Sequence, residues 1–223
     1  MKKLDYLCNS DIKIYQDDDM FKMNSDTRNL GEFLDFKKND YTILDVGCNN
    51  GALLLYAYKK KKAKYYYGVD LNQKALDIAK ENMEINGIDD FSFICSDFKE
   101  LKIEQVDYIV SNPPYFDGEH VSENFDKRRA RFASFLPLED LIKHSKRLLK
   151  DRGSLFLVYP SFKLAQVIST LDKYKFALTR LQFVYDENKD ESGVFLLEAR
   201  KGLKHYSKIM KPIINKRWLW TTY

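Results

Sequence analysis

"YTILDVGCNNG", residues 41–51, begins as an apolar, β-branched run and ends in a glycine-bearing turn. Tyr41 to Gly47 reads as a buried strand, and Gly51 to Lys61, "GALLLYAYKKK", reads as the helix that follows it. The turn between them has the spacing Asp45-x-Gly47-x-Asn49-x-Gly51. Gly47 permits a tight turn and a close backbone approach to a ligand, and Gly51 lets the helix start pack tightly on the strand. Asn49 stands where a third glycine would be usual, and asparagine tolerates positive φ better than other non-glycine residues. The spacing is not the dinucleotide GxGxxG. Nor is it a phosphate-binding Walker loop, since no Gly-Lys-Ser/Thr follows. A plain strand-to-helix turn is the alternative reading.

Working outward, the same alternation repeats. Ala63 to Asp70 reads as a second strand and Phe91 to Asp97 as a third. Between them Asn72 to Gly87 reads as an amphipathic helix, with Asn72 as N-cap and Gly87 as C-terminal stop. Val106 to Asn112 is the fourth strand, Leu138 to Lys150 a helix ended by Gly153, Ser154 to Pro160 the fifth strand, and Ser161 to Tyr174 a helix. "FALTRLQFVYDE" and "SGVFLLEARK", joined by a polar loop, should form an antiparallel hairpin. Strands alternating with helices imply an α/β, doubly wound, mostly parallel sheet covered on both faces. Ligands in such sheets bind beyond the carboxyl ends of the strands at the switch point.

The unusual residues fall at those ends. Asp70 closes the second strand, where a carboxylate accepts from both hydroxyls of a ribose; capping of the next helix is the competing role. Asp97 closes the third, where it can accept from an exocyclic adenine amine or simply sit in a solvated loop. Together, the glycine turn and two acids describe one nucleoside lying across the switch point. After the fourth strand comes "SNPPYF", residues 111–116. Two adjacent prolines remove two donors and fix φ, so regular structure must end there. The stiff Pro113–Pro114 pair gives the Asn112 side chain and the Pro113 carbonyl defined positions, and Tyr115 or Phe116 offers a face for stacking. A planar exocyclic NH₂ is a poor nucleophile because its lone pair is delocalised. Two acceptors, the Asn112 oxygen and the Pro113 carbonyl, would favour a pyramidal nitrogen whose lone pair faces an electrophile, through orientation and preorganised electrostatics. A rigid turn without chemistry is the bland alternative.

The gross properties bound the rest. A chain of 223 residues with 44% hydrophobic content suits one domain with a substantial core. No long apolar run predicts a membrane span, and "MKKLDYLCNSD" lacks the apolar region of a signal peptide. The three cysteines Cys8, Cys48 and Cys95 form neither a disulfide framework nor a zinc motif, so a reducing cytoplasm and no metal are expected. Net charge is +4, and seven Lys/Arg with no Asp or Glu lie between Arg200 and Arg217. Further basic clusters are "DKRRARF" (Asp126 to Phe132) and Lys59 to Lys62. Such clusters suit a polyanion or a solvated surface.

With these motifs quoted, the chain resembles the class I S-adenosylmethionine-dependent methyltransferases, in the subset whose Asn-Pro-Pro-Tyr motif acts on planar amino or amide nitrogens. The resemblance covers residues 41–200. "FKMNSDTRNLG" (Phe21 to Gly31), "RARF" (Arg129 to Phe132) and "EARKGLKHYS" are similar to the bacterial tRNA1(Val) adenine-37 N6-methyltransferase family. The resemblance implies a seven-stranded Rossmann-like sheet, S-adenosyl-L-methionine as methyl donor with S-adenosyl-L-homocysteine as product, and N6-methylation of the adenosine beside a valine tRNA anticodon. It implies cofactor contacts at Asp45, Gly47, Asn49, Gly51, Asp70, Leu71, Asp97, Phe98 and Asn112. A covering segment adds Lys22, Ser25 and Thr27, and the target amine meets Asn112, Pro113, Pro114 and Tyr115. The chain is then a single methyltransferase domain: residues 1–40 cover the cofactor, 41–200 form the catalytic core and 201–223 a basic tail.

The same motif serves enzymes that methylate a glutamine amide in release factors, but those carry a long N-terminal helical domain, whereas about 40 residues precede the first strand here. Adenine methylation of rRNA or DNA is the other alternative; the DNA enzymes usually need a further recognition domain. A non-enzymatic nucleotide-binding module would not need the Pro-Pro-aromatic element. The basic segments then become tRNA contacts, at Lys127, Arg128, Arg129, Arg131, Lys201, Lys204 and Lys208. A monomer is expected. The tail "RWLWTTY" holds both tryptophans and no evident chemistry.

Overall fold

A computed structural model describes residues 1–8, 10–18, 22–114, 136–203 and 206–215. The strand read from the first stretch is β3 (Thr42–Val46), and four of its five residues are buried. Around it run α2 (Ala52–Lys60), β4 (Tyr65–Asp70), α3 (Gln73–Glu84), β5 (Phe91–Cys95) and β6 (Val106–Ser111). Then follow α4 (Leu138–Leu148), β7 (Leu149–Pro160), α5 (Leu164–Lys173), β8 (Phe176–Asp186) and β9 (Ser192–Lys201). The sheet order across these strands is β8-β9-β7-β6-β3-β4-β5. β3 pairs in parallel with both β4 and β6, β4 with β5, and β6 with β7. β9 is antiparallel to β7 and β8, which is the expected C-terminal hairpin. The chain leaves β3 toward β5 and returns to β6 on the other side, so the switch point lies at the carboxyl ends of β3 and β6.

Adjacent strand residues face opposite sides of the sheet. Ile43, Val110 and Phe156 pack with α1 (Ser25–Phe33) and α2 on one face. Leu44, Ile109 and Leu155 pack with α4 and α5 on the other. The buried stripe Leu138, Leu141, Ile142, Ser145 and Leu148 is what seats α4. Asn72 caps α3 by accepting from Ala75 N at 3.4 Å, and Gly87, at φ 67°, ends its last turn.

Four strands were not foreseen. β1 (Lys2–Tyr6) and β2 (Lys13–Asp17) form an antiparallel hairpin ahead of α1. Asn82 on α3 and Asn86 in the turn just after it hold β2 like a neighbouring strand: their Oδ1 atoms accept from Tyr15 N (2.6 Å) and Lys13 N (2.9 Å), and their amides donate to Tyr15 O and Lys13 O. β10 (Lys208–Ile209) and β11 (Ile213–Asn215) pair in parallel with β8, so the sheet has nine strands rather than seven. Part of the expected basic tail is thus sheet edge. β7 also begins five residues earlier than expected, and Gly153 lies inside it rather than ending a helix. Arg152 takes φ +63° there, and a Cβ on Gly153 would sit 2.9 Å from the Asp107 carbonyl, so only glycine lets β7 approach β6 this closely.

At the opposite end of the sheet from the switch point, Asp107 accepts from Lys38 Nζ (2.6 Å), Lys150 Nζ (3.0 Å), Thr42 N (3.0 Å) and Thr42 Oγ1 (3.1 Å). Burial pushes its carboxyl up, but the hydrogen bonds from Lys38, Thr42 and Lys150 outweigh it and hold the pKa at about 2. The folded value lies below the unfolded one. The stabilisation is therefore complete above the ordinary carboxylate range and is lost as pH falls through about 2. Asp107→Asn is expected to cost about 2 kcal/mol near neutral pH. The deficit should shrink as acid is added, and urea midpoints across that range check it; a deficit that stays constant would mean the charge is irrelevant.

Candidate active site

The turn after β3 holds three left-handed residues, Gly47 (φ 72°), Asn49 (φ 47°) and Gly51 (φ 77°). The asparagine does what the missing glycine would have done. Gly47 N and Cys48 N both donate to Val69 O, at 2.9 and 3.1 Å, which stitches the turn to the end of β4. A Cβ on Gly51 would lie 3.3 Å from Ala79 Cβ, so this turn lets α2 start against α3. The Asn50 side chain donates to Tyr15 O at 3.1 Å, joining the turn to β2.

Asp70, at the end of β4, anchors the same turn. Its Oδ2 accepts from Asn49 N at 2.9 Å and its Oδ1 from Asn72 N at 3.0 Å. The helix cap itself is Asn72, so the competing role for Asp70 is taken by its neighbour. Each carboxylate oxygen keeps further lone-pair capacity. Asp97 caps a short 3₁₀ turn (Phe98–Glu100) by accepting from Lys99 N at 2.9 Å, and it pairs with Lys99 Nζ at 3.2 Å. Phe98 is buried in the core beside the His144 ring, while Leu71 is exposed at the end of β4.

Asp45 is 1% exposed, and neither of its carboxylate oxygens accepts a hydrogen bond among the described residues. Burial, with the nearby Asp70 carboxylate adding to it, holds its carboxyl well above the usual range. Because the folded value exceeds the unfolded one, this group weakens the fold increasingly as pH rises above the ordinary Asp value. Asp45→Asn, which is neutral at every pH, is therefore expected to raise the unfolding temperature more at about pH 8 than at about pH 5. An equal gain at both would contradict the raised carboxyl.

Asn112 follows β6 directly and is half-buried, with Pro113 buried and Pro114 half-buried behind it. Ser111 Oγ donates to Val46 O at 2.8 Å, tying the end of β6 to the end of β3. Asn112 Nδ2 donates to Thr27 Oγ1 at 3.0 Å. Thr27 is thus placed against the amide. Of the other residues of the expected covering segment, Lys22 pairs with Asp18 at 2.7 Å and Ser25 is exposed at the start of α1. Lys201 donates to Leu149 O at 2.8 Å and pairs with Asp151 at 3.4 Å, so its charge is engaged within the fold. Lys208 is exposed on β10. Lys59 and Lys60 both pair with Glu32. Tyr115, Lys127, Arg128, Arg129, Arg131 and Lys204 lie outside the described residues.

Four strand ends thus bring the glycine turn, two acids and an amide to one edge of the sheet. A family model described as the methyltransferase small domain matches residues 13–183. The chain belongs to that family. Among curated relatives it is similar to the tRNA1(Val) (adenine(37)-N6)-methyltransferase of Flavobacterium psychrophilum, 25% identical over 92% of this chain and 97% of that protein. The protein of the same name from Cytophaga hutchinsonii is 26% identical over 86% of this chain and 82% of its own length. Among solved structures, a ribosomal protein L11 methylase from Lactobacillus delbrueckii subsp. bulgaricus has the same fold: TM-score 0.61, 21% identity, 83% of each chain covered.

This methyltransferase is S-adenosylmethionine-dependent, and its residues fit that donor. Asp45 is a buried acceptor pair without donors among the described residues, and a Cβ on Gly47 would meet none of them within 4 Å. No helix among the described residues is long and apolar enough to cross a membrane.

Proposed function

We propose that the chain transfers a methyl group to the exocyclic N6 of an adenine in tRNA, adenosine 37 of a valine tRNA. The observation that carries this reading is the Asn112 amide at the end of β6, whose NH₂ end donates to Thr27 Oγ1 at 3.0 Å; its oxygen end would accept from an amine. The names of the relatives supply the adenine and the tRNA. Asp45, Gly47, Asn49, Gly51 and Asp70 would hold the donor, with the Asp70 carboxylate taking the ribose hydroxyls. When bound, S-adenosylmethionine supplies an electrophilic methyl group. The Asn112 oxygen and the Pro113 carbonyl would receive the two hydrogens of the target amine and orient its lone pair, which is a task of positioning and electrostatics. Tyr115 would stack on the base, and Lys127, Arg128, Arg129, Arg131, Lys204 and Lys208 would contact phosphates.

The test is incubation of the protein with methyl-labelled donor and total tRNA, beside a release-factor control, followed by nucleoside analysis. Label in N6-methyladenosine of a valine tRNA is expected. Label in glutamine of the release factor, or none in tRNA, would overturn the assignment.

A further inference from the structure

We propose that Thr27 and Asn24 are positioning residues for Asn112, setting which end of its amide faces the incoming amine. The inference rests on the acceptor role given to Asn112 above. An asparagine amide presents an acceptor at one end and two donors at the other, and a half-turn about its last bond exchanges them. Only one orientation can receive hydrogens from an amine; the other would point N–H at N–H. The Pro113–Pro114 pair stiffens the backbone but leaves that last torsion free.

The hydrogen-bond chain from α1 removes the ambiguity. It starts at a backbone donor, whose polarity cannot be reversed. Thr27 N donates to Asn24 Oδ1 at 2.9 Å, the N-cap bond of α1, so the oxygen end of Asn24 points at Thr27. The Thr27 hydroxyl lies 3.1 Å from that same oxygen. A carbonyl oxygen can only accept, so the single hydroxyl proton of Thr27 is directed to Asn24. What the hydroxyl has left are lone pairs. Its other neighbour, the Asn112 side chain at 3.0 Å, must then donate to it. The NH₂ end of Asn112 is therefore turned toward α1 and its Oδ1 is turned away. The polarity of one helix cap is passed through one hydroxyl to a residue 85 positions along the chain.

The hydrogen-bond chain needs a hydroxyl at position 27. Valine has the same shape and keeps the backbone N–H, so Thr27→Val preserves the cap while removing the hydroxyl. It would leave the Asn112 NH₂ without its partner and the amide free to turn. Thr27→Ser restores the hydroxyl without the methyl group.

Two readouts test this. In single-turnover methyl transfer to total tRNA, Thr27→Val is expected to be slower by about tenfold, the equivalent of one ordinary hydrogen bond. Thr27→Ser should recover most of the rate, and any loss of donor affinity in Thr27→Val, measured by calorimetry, should be smaller than its loss of rate. The second readout needs no activity. The Asn112 side-chain NH₂ resonances, assigned by their loss in Asn112→Ala, should exchange slowly with solvent in the wild type and in Thr27→Ser, and faster with altered shifts in Thr27→Val. Unchanged Asn112 amide signals in Thr27→Val, or a serine variant that behaves like the valine one, would overturn the inference. If the wild type methylates no adenine in tRNA, the proposed function fails by itself, and the amide resonances still decide whether Thr27 orients Asn112.

Discussion

Asn112→Ala is expected to lower methyl transfer on the order of a thousandfold while donor affinity stays within several-fold. That size is the upper end of what loss of one preorganised polar group costs an active site. Position explains the split. The amide follows β6, and its one described side-chain partner is Thr27, whereas the residues read as holding the donor stand on the turn after β3 and at the end of β4. Removing the side chain deletes an acceptor for the target amine and leaves the stitching of the glycine turn to Val69 and Asp70 intact. Equal losses in rate and in donor affinity would instead make Asn112 a binding residue. Asn112→Asp is the informative companion: it keeps an acceptor but, when ionised, has no N–H for Thr27. If orientation matters as much as acceptance, this variant should also be impaired.

The architecture was legible because its cues are local. β3 announces itself as a buried run before a glycine turn, and α3 as a periodic stripe between Asn72 and Gly87. Asn49 could be read correctly as a glycine substitute because positive φ is a property of the residue itself. The hairpin β1–β2 was not legible: its strands are short and polar, and what holds β2 is a pair of side-chain amides at the end of α3 and just past it, roughly seventy positions away. β10 and β11, of two and three residues, acquire strand character only from the edge of β8. At the site, the acids and the amide could be named from their places at strand ends. Their partners could not. Asn24 and Thr27 stand in the stretch read as covering the cofactor, but nothing in it points to Asn112, and the engagement of Lys201 with Leu149 and Asp151 exists only once β7 and β9 are paired.

The second large effect is expected at Asp70. Asp70→Ala should weaken S-adenosylmethionine binding on the order of a hundredfold, because about 1.5–3 kcal/mol attends each hydrogen bond to a charged group and more than one is lost. The loss has two sources. One is the proposed ribose contact. The other is internal: without the carboxylate, Asn49 N and Asn72 N lose their acceptor, and the turn that carries Asn49 at φ 47° loses a restraint. A double-mutant cycle separates them, with wild type and Asp70→Ala each titrated with S-adenosylhomocysteine and with its analogue lacking both ribose hydroxyls. If the ribose contact dominates, wild type should discriminate strongly between the two ligands and the variant hardly at all. If the turn dominates, the variant should lose affinity for both ligands alike and keep the same preference between them. Asp70→Asn should fall between: its single oxygen can hold Asn49 N or Asn72 N, but not both of them and the ribose. An Asp70→Ala variant that binds S-adenosylhomocysteine as tightly as wild type would remove Asp70 from the donor site altogether.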